Sequence, residues 1–185
     1  MPIQIHIDKR ELYDERTNTF IQVPSLDLIM EHSLISVSKW EAKWKKSFLS
    51  NVGSLNTDEM LDYFSKMCIK PQDVDPNSFL VLPKDEINKI VNYIKDEQSA
   101  TVITYHTPTG KSKKVITSEQ IYYWMVAAQI PFECEKWHLS RLLKLIEIYG
   151  IENDPKGKKK MKRNDIYKQN DALNAARRAK HKTKG

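Results

Sequence analysis

Leu26-Asp-Leu-Ile-Met-Glu-His-Ser-Leu-Ile-Ser-Val-Ser-Lys-Trp-Glu-Ala-Lys-Trp44 changes its hydrophobic period part-way along. Up to His32, Leu26, Leu28 and Met30 recur every second residue, as in a half-buried strand. Beyond it Val37, Trp40, Trp44 and Phe48 fall three or four apart, with Lys39, Lys43, Lys45 and Lys46 in the intervals, which is the spacing of a helix over 37–48. Strand therefore gives way to helix. Upstream, Ile3-Gln-Ile-His-Ile7 alternates strictly, and Leu12-Tyr13 and Phe20-Ile-Gln-Val23 flank the polar stretch 14–19. Residues 3–31 are thus expected to form a small antiparallel β element.

Downstream the helical period dominates. Thr57-Asp58-Glu59 supplies an N-cap hydroxyl and two carboxylates, and Met60, Leu61, Phe64, Met67 and Cys68 follow as a buried face. Pro71 to Pro76 is a loop, because proline cannot continue a helix and pushes the preceding residue towards extended backbone. After Pro83, Ile87, Ile90, Val91 and Ile94 form the cleanest amphipathic stripe in the chain. Residues 101–105 and 113–116 are β-prone around Thr107-Pro-Thr-Gly110, which predicts a hairpin. Thr117 or Ser118 caps a helix holding Ile121, Trp124, Met125 and Ala128 that stops near Pro131. A last helix is expected from about Glu135 to Tyr149, with Leu139, Leu142, Leu143 and Ile146 inward and Gly150 at C′. The expected class is α+β, predominantly helical: a β element (1–32), a mainly helical core with one hairpin (33–152) and a basic C-terminal tail (153–185).

Charge is distributed unevenly. The 185 residues carry a formal net charge of +6, yet 156–185 hold twelve Lys/Arg against Asp165 and Asp171, so this tail is +10 and the rest −4. The run Asp154-Pro-Lys-Gly-Lys-Lys-Lys160 cannot bury enough apolar surface to offset its ordering entropy and is expected to be a linker. Residues 164–179 have the composition for a helix but a thin apolar face, and are expected to gain helix on a partner. No apolar run approaches the roughly 18 residues of a membrane span, and the first residues lack the layout of a signal peptide. With Cys68 and Cys134 as the only cysteines, reduced thiols and a soluble protein are expected.

No catalytic motif survives inspection. Gly110-Lys111-Ser112 resembles the end of a phosphate loop, but Tyr105 stands where the upstream glycine belongs and a strand-like run follows. Cys134 and His138 could face one metal, with His6, His32 or His106 converging. Two ligands are not a site, and a buried thiol beside a hydrogen-bonded imidazole is the simpler reading. Neither cofactor, metal nor catalytic residue is assigned, and the chain is not expected to be an enzyme. The aromatic residues weigh differently. Trp40 and Trp44 among lysines could clasp a partner, although a core stripe with snorkelling lysines explains them more simply. Tyr122, Tyr123, Trp124 and Trp137 are read likewise as core, aromatics on both sides of Pro131 packing two helices into one corner, and Tyr122, Trp137 and Arg141 are the further candidates for contact with a partner. In the tail, Lys158, Lys159, Lys160, Lys162 and Arg163, then Arg177, Arg178 and Lys180, form two clusters able to lie on nucleic acid or dock an acidic protein.

The stretch Ile121-Tyr-Tyr-Trp-Met-Val-Ala-Ala-Gln-Ile-Pro-Phe-Glu-Cys-Glu-Lys-Trp-His-Leu-Ser-Arg-Leu-Leu-Lys-Leu-Ile146 resembles small morphogenesis proteins of long-tailed bacteriophages. Ser38-Lys-Trp-Glu-Ala-Lys-Trp44 and Leu173-Asn-Ala-Ala-Arg-Arg178 reinforce the resemblance. It implies a tail assembly chaperone, a mainly helical protein that keeps the tape-measure protein soluble while the tail tube polymerises. Partners would be the tape-measure or other tail proteins, further copies of the chain, and nucleic acid through the tail, with no membrane. The location implied is the host cytoplasm during assembly. The N-terminal β element departs from an all-helical chaperone, so a head-tail connector or neck component of the virion, its basic arm on DNA or a neighbouring subunit, is the alternative.

Because the positive charge is concentrated in 156–185, deleting that segment is expected to abolish nucleic-acid retention at low salt while the far-ultraviolet circular dichroism of the body persists. A heparin or DNA column run at 50 and 200 mM salt checks this, and equal retention of the truncated chain would refute it.

Overall fold

Two alternating runs fold back on one another as an antiparallel ribbon in the computed structural model, which describes residues 2–14, 18–101, 103, 115–153, 167 and 171. β1 (Ile3–Ile7) pairs with β4 (Leu26–Met30), and β2 (Arg10–Asp14) with β3 (Thr19–Val23). The facing pairs Ile7↔Leu26 and Arg10↔Val23 leave two residues on each side between the ladders, Asp8-Lys9 and Pro24-Ser25, so one register runs through both. Pro24 has no N–H to give to a ladder, which accounts for the break. The register puts Ile3, Ile5 and Ile7 on one face with Met30, Leu28 and Leu26 opposite them. Ile5, Ile7, Leu28 and Met30 are buried there. β5 (Cys68–Lys70) joins the other edge of β4, completing a three-stranded antiparallel sheet in the order β1-β4-β5.

Helices cover the buried face of this sheet. α1 (Leu34–Trp44) starts in a capping box, Ser33 accepting from the Ser36 amide and Ser36 from the Ser33 amide. α2 (Phe48–Asn51) is a single turn, and α3 (Thr57–Met67) opens in a second capping box between Asn56 and Glu59. α1 and α3 pack through Trp40, wholly buried, whose indole N–H donates to the Glu59 carbonyl at 2.9 Å. Beside it the Trp44 indole donates to Asp62 at 2.9 Å, and Lys43 reaches the same carboxylate at 2.7 Å. A 3₁₀ turn, Pro76–Val81, presses Phe79 against Phe64 with ring centroids 5.7 Å apart. α4 (Lys84–Lys95), α5 (Ser118–Ala127), a second 3₁₀ turn (Phe132–Lys136) and α6 (Leu139–Asn153) complete the described elements. Buried side chains of sheet and helices form one cluster, from Ile5 and Leu28 through Trp40 and Phe64 to Ile121 and Leu142.

Several helix limits differ from those expected. The helix over 37–48 stops at Trp44: Lys45 turns left-handed at φ 55° and Phe48 begins a helix of its own, capped by Ser47. Asn56, not Thr57, is the N-cap of α3, its side chain accepting from the Glu59 amide at 2.8 Å. The start expected near Glu135 is a 3₁₀ turn, and α6 begins only at Leu139, whose amide donates to the His32 carbonyl at 2.7 Å. α6 also runs through Gly150, which therefore is not a C′ residue. The hairpin around Thr107-Gly110 and nearly all of the 164–179 helix lie outside the described residues, of which Tyr167 and Asp171 are helical.

The break after α1 has a definite cause. Glu41, 7% exposed, projects from the last turns of α1 and accepts from the Phe48 amide at 2.8 Å with one oxygen and from the Ser118 amide at 2.7 Å with the other. Phe48 and Ser118 are the first residues of α2 and α5. One carboxylate thus caps two helices, where anionic acceptors are most favourable. Ser47 Oγ adds a bond to the Ile116 carbonyl at 2.7 Å across the same junction. Glu41→Ala leaves two buried amides without acceptors and is expected to lower stability by about 2–4 kcal/mol, with Glu41→Gln, which keeps one acceptor oxygen, losing about half that. Urea unfolding of the two variants checks the order, and a Gln variant as weak as the Ala one would refute the double cap.

Candidate functional site

α5 differs from the other helices in being apolar on two sides. Ile121 and Met125, four apart, are wholly buried against the core. Tyr123 and Val126, three apart on the outer side, are 70% and 59% exposed. A left-handed residue, Gln129, reverses the chain after α5, and the Ile130 amide returns to the Met125 carbonyl at 2.8 Å. This turn brings up Phe132, 56% exposed, against Tyr122 at 6.4 Å between centroids. Tyr149 of α6, also exposed, donates to the Ala127 carbonyl at 3.4 Å. Tyr123 and Val126 on the outer side of α5, Phe132 beside Tyr122 and Tyr149 beside the end of α5 are thus exposed apolar residues on neighbouring elements. Single exposed apolar residues are ordinary, whereas several on adjoining elements make a candidate contact surface.

The residues singled out from sequence separate into buried, anchored and undescribed ones. Trp40 is sealed in the core, so it is inaccessible to a partner and its role is packing. Trp44 is half-buried, held by Asp62 and flanked by Lys43, whose ammonium lies 5.3 Å from the ring centroid. Tyr122 is half-buried and donates to Glu135 at 2.8 Å; burial and that carboxylate push its phenol up, so it stays a donor. Trp137 packs half-buried under Arg141, whose guanidinium sits 4.5 Å from the ring centroid. These three border the exposed set or the α1–α3 seam rather than standing free. Lys158, Lys159, Lys160, Lys162, Arg163, Arg177, Arg178 and Lys180 lie outside the described residues. Tyr123, expected to pack inward with Tyr122, Trp124 and Trp137, instead points outward at 70% exposure, because it lies on the side of α5 opposite Ile121 and Met125. Val126, Phe132 and Tyr149 are not marked by the sequence, where the signal was the run Tyr122-Tyr123-Trp124, apolar around the helix where α4 keeps to a stripe.

A polar layer crosses the centre of the molecule. The His32 and His138 rings meet edge-to-face at 5.1 Å, both buried. Tyr63 bonds His32 Nδ1, and His138 bonds the Tyr93 carbonyl through Nε2 at 3.0 Å and Ser140 Oγ through Nδ1 at 3.1 Å. The Tyr93 hydroxyl donates to Glu31. Burial, with His138 adding repulsion, pushes His32 down to about 3, and burial also lowers His138, so both rings are neutral in this layer. Burial pushes the Cys68 thiol up to about 12 and raises Cys134 as well, leaving no ready thiolate. Of the imidazoles that could have joined Cys134 and His138, His32 does approach His138, His6 sits at the far sheet edge between Asp27 and Asp8, and His106 lies outside the described residues. Among the described residues no three His, Cys, Asp or Glu gather as a metal site.

Two concave surfaces adjoin these elements. One, of about 850 Å³, lies beside β1, β4 and the start of α4, and its charges are largely satisfied internally, His6 by Asp27 at 2.7 Å and Lys89 by Glu86 at 3.4 Å. The other, of about 560 Å³, opens above His32 between α3, α4 and α6 and is walled chiefly by apolar side chains. No described helix is long and apolar enough to cross a membrane. Comparison with protein-family models, curated proteins and solved structures finds no match.

The buried neutral histidines set the acid response of the fold. A folded pKa below the unfolded one means that the unfolded chain binds more protons, so the stability from His32 is complete above pH 6.5 and is lost as pH falls towards about 3. At pH 5 this one ring costs about 2 kcal/mol relative to pH 7, and His138, displaced in the same direction, steepens the loss. Exposed His6, raised by Asp27, acts in the opposite direction. Urea midpoints between pH 7 and pH 5 are expected to fall continuously, before carboxylates such as Glu59 protonate. A flat profile would contradict burial of the neutral rings.

Proposed function

We propose that the protein is a non-enzymatic bacteriophage tail morphogenesis protein that chaperones the tape-measure protein during tail assembly in the host cytoplasm. The observation that carries this reading is the outward apolar set Tyr123, Val126, Phe132 and Tyr149, which lies largely within the stretch 121–146 resembling that class of protein. A chaperone of this kind holds apolar stripes of a long helical client that would otherwise associate with one another. Aromatic residues at 123, 132 and 149 supply contact area at small rotamer cost, and Trp137 with Arg141 forms a rigid cationic border to the same layer. The +10 tail supplies long-range attraction that speeds encounter and leaves the apolar set to determine the residence time.

A virion connector or neck component is the second reading, favoured by the β2–β3 ribbon. Its outer face presents Tyr13 and Phe20, 51% and 65% exposed, with centroids 5.1 Å apart. Such a ribbon suits contact with a neighbouring subunit, and the tail would then lie on DNA or on that neighbour.

Quantitative peptide mass spectrometry of purified particles beside the lysate separates the two: abundance in lysate with absence from particles supports the chaperone, and stoichiometric presence overturns it. Co-expressed with the tape-measure protein, the wild-type chain is expected to keep it in the supernatant, and Tyr123→Glu/Val126→Glu to reduce that soluble fraction about tenfold, the equivalent of 1.4 kcal/mol of binding. Both positions are exposed, so circular dichroism of the variant should match wild type.

A further inference from the structure

The apolar stripe of α4 is only partly used by the fold. Ile90 is wholly buried, whereas Ile87, Val91 and Ile94 are half-covered, and Val91 and Ile94 face the 560 Å³ groove above His32. Across from them stand Val52, Leu55 and Met60, with Leu143 of α6 closing one side. None of these six apolar side chains is fully buried, and Val52 is 48% exposed. The volume falls within the range of true binding cavities, roughly 300–1,000 Å³.

His32 gives the groove a polar floor. The residue is 4% exposed and lines the cavity, and only its Nδ1 has a partner, the Tyr63 hydroxyl. The one sealed, unbonded side-chain polar atom among the described residues is Gln120 Oε1, so His32 Nε2 meets the cavity. A phenol is a stronger acid than a neutral imidazole N–H and the imidazole nitrogen the stronger base, so Tyr63 donates to Nδ1 and Nε2 carries the proton. An N–H donor therefore points into an apolar groove. Two further features have the same sign. Lys95, the last residue of α4, lines the groove and pairs with no carboxylate among the described residues. Leu139 and Ser140, the first residues of the fifteen-residue α6, put the positive end of its dipole at the rim. No Asp or Glu lines the groove.

We propose that this groove docks an acidic amphipathic helix of a partner protein, whose apolar side chains fill the cavity above His32 while a carboxylate pairs with Lys95. Three helices and a turn wall an open trough, a shape that takes anchors at i, i+3/i+4 and i+7. The proposal deepens the chaperone reading and rests on it for the source of the helix. The groove and α5 are joined through α6, whose first turns line the one and whose Tyr149 bonds the end of the other.

The test uses the full chain and a designed 18-residue helix with Leu at i, i+3, i+4 and i+7 flanked by Glu, plus a counterpart in which each Glu is Lys. Fluorescence anisotropy is read at about 0.3 M salt, which screens the basic tail. Because that tail attracts any acidic peptide, the deciding comparison is between variants that leave it intact. Lys95→Glu is expected to weaken the acidic peptide about tenfold and to strengthen the lysine peptide. Val52→Glu is expected to abolish binding of both, and Leu80→Glu, at an exposed position of the Pro76–Val81 turn outside the groove, to change neither. In protein labelled with ¹⁵N-histidine, saturation should shift the Nε2–H resonance of His32. Affinities unmoved by Lys95→Glu and Val52→Glu, or a silent His32, would overturn the groove even if the tape-measure protein is still held. Dodecanoate excluding the peptide with higher affinity, or a dimer broken by Val52→Glu in sedimentation, would instead assign the groove to a small amphiphile or to a second copy, and either overturns the proposal. Failure of tape-measure holding alone refutes the chaperone reading, not the groove.

Discussion

A single buried carboxylate governs how the helical layer is assembled. Glu41 accepts from the amides of Phe48 and Ser118, which are 70 positions apart, and so fixes the first residues of α2 and α5 relative to the end of α1. The α1–α2 turn contains a left-handed lysine, a conformation that costs on the order of 1–3 kcal/mol for a residue with a side chain. That strain is tolerated because the turn delivers the Phe48 amide to a charged acceptor. Phe48 in turn stacks on Tyr63 at 4.0 Å and edges onto Trp40 at 5.3 Å, which ties the turn to the α1–α3 seam. The seam itself is polar at its margin, where Lys43 and Lys46 meet the buried carboxylates of Asp62 and Glu59. Lysines that look from sequence like the flanks of an aromatic stripe are the counter-ions of α3.

What could be read from the residues follows from the range of the forces involved. Period-two alternation in 3–7 and 26–30 reports burial on one face of a strand, and both strands occur where it is found. The α4 stripe and the inward set of α6 are local in the same sense, since each is a property of one helix. Two of the misplaced limits are decided at a distance. Glu41 is an ordinary polar position until Ser118 is brought to it, and the start of α6 waits on the His32 carbonyl, over a hundred residues upstream. The same applies to the candidate surfaces. Trp40 and Trp44 carry the same residue type four apart on one helix, yet the one is sealed and the other half-open, and no spacing distinguishes them. His32 was one of several scattered histidines, and its open nitrogen exists only because α3 brings Tyr63 to the other side of the ring.

α5 and α6 divide sharply into buried and exposed apolar positions. Ile121, Met125, Leu139 and Leu142 hold these helices to the core, while Tyr123 and Val126 stay exposed and Tyr149 keeps its ring outside with only its hydroxyl tied to α5. The polar layer of His32, His138, Tyr93 and Glu31 makes the same division at the other end of α6. Its bonds consume the polar atoms facing inward and leave one donor facing the groove.

The unbroken register of the ribbon constrains how its tip can vary. Every facing pair from Ile3↔Met30 to Asp14↔Thr19 obeys one rule of opposition, across the Pro24 interruption. An extra residue in β2 alone would exchange Leu12 for Tyr13 on the body-facing side, or would have to be taken up as a bulge. Growth by matched increments on each strand leaves both faces as they are. Equal changes on the two strands therefore extend or trim the ribbon without altering the core, which gives this end of the molecule an adjustable reach whose unit is one facing pair.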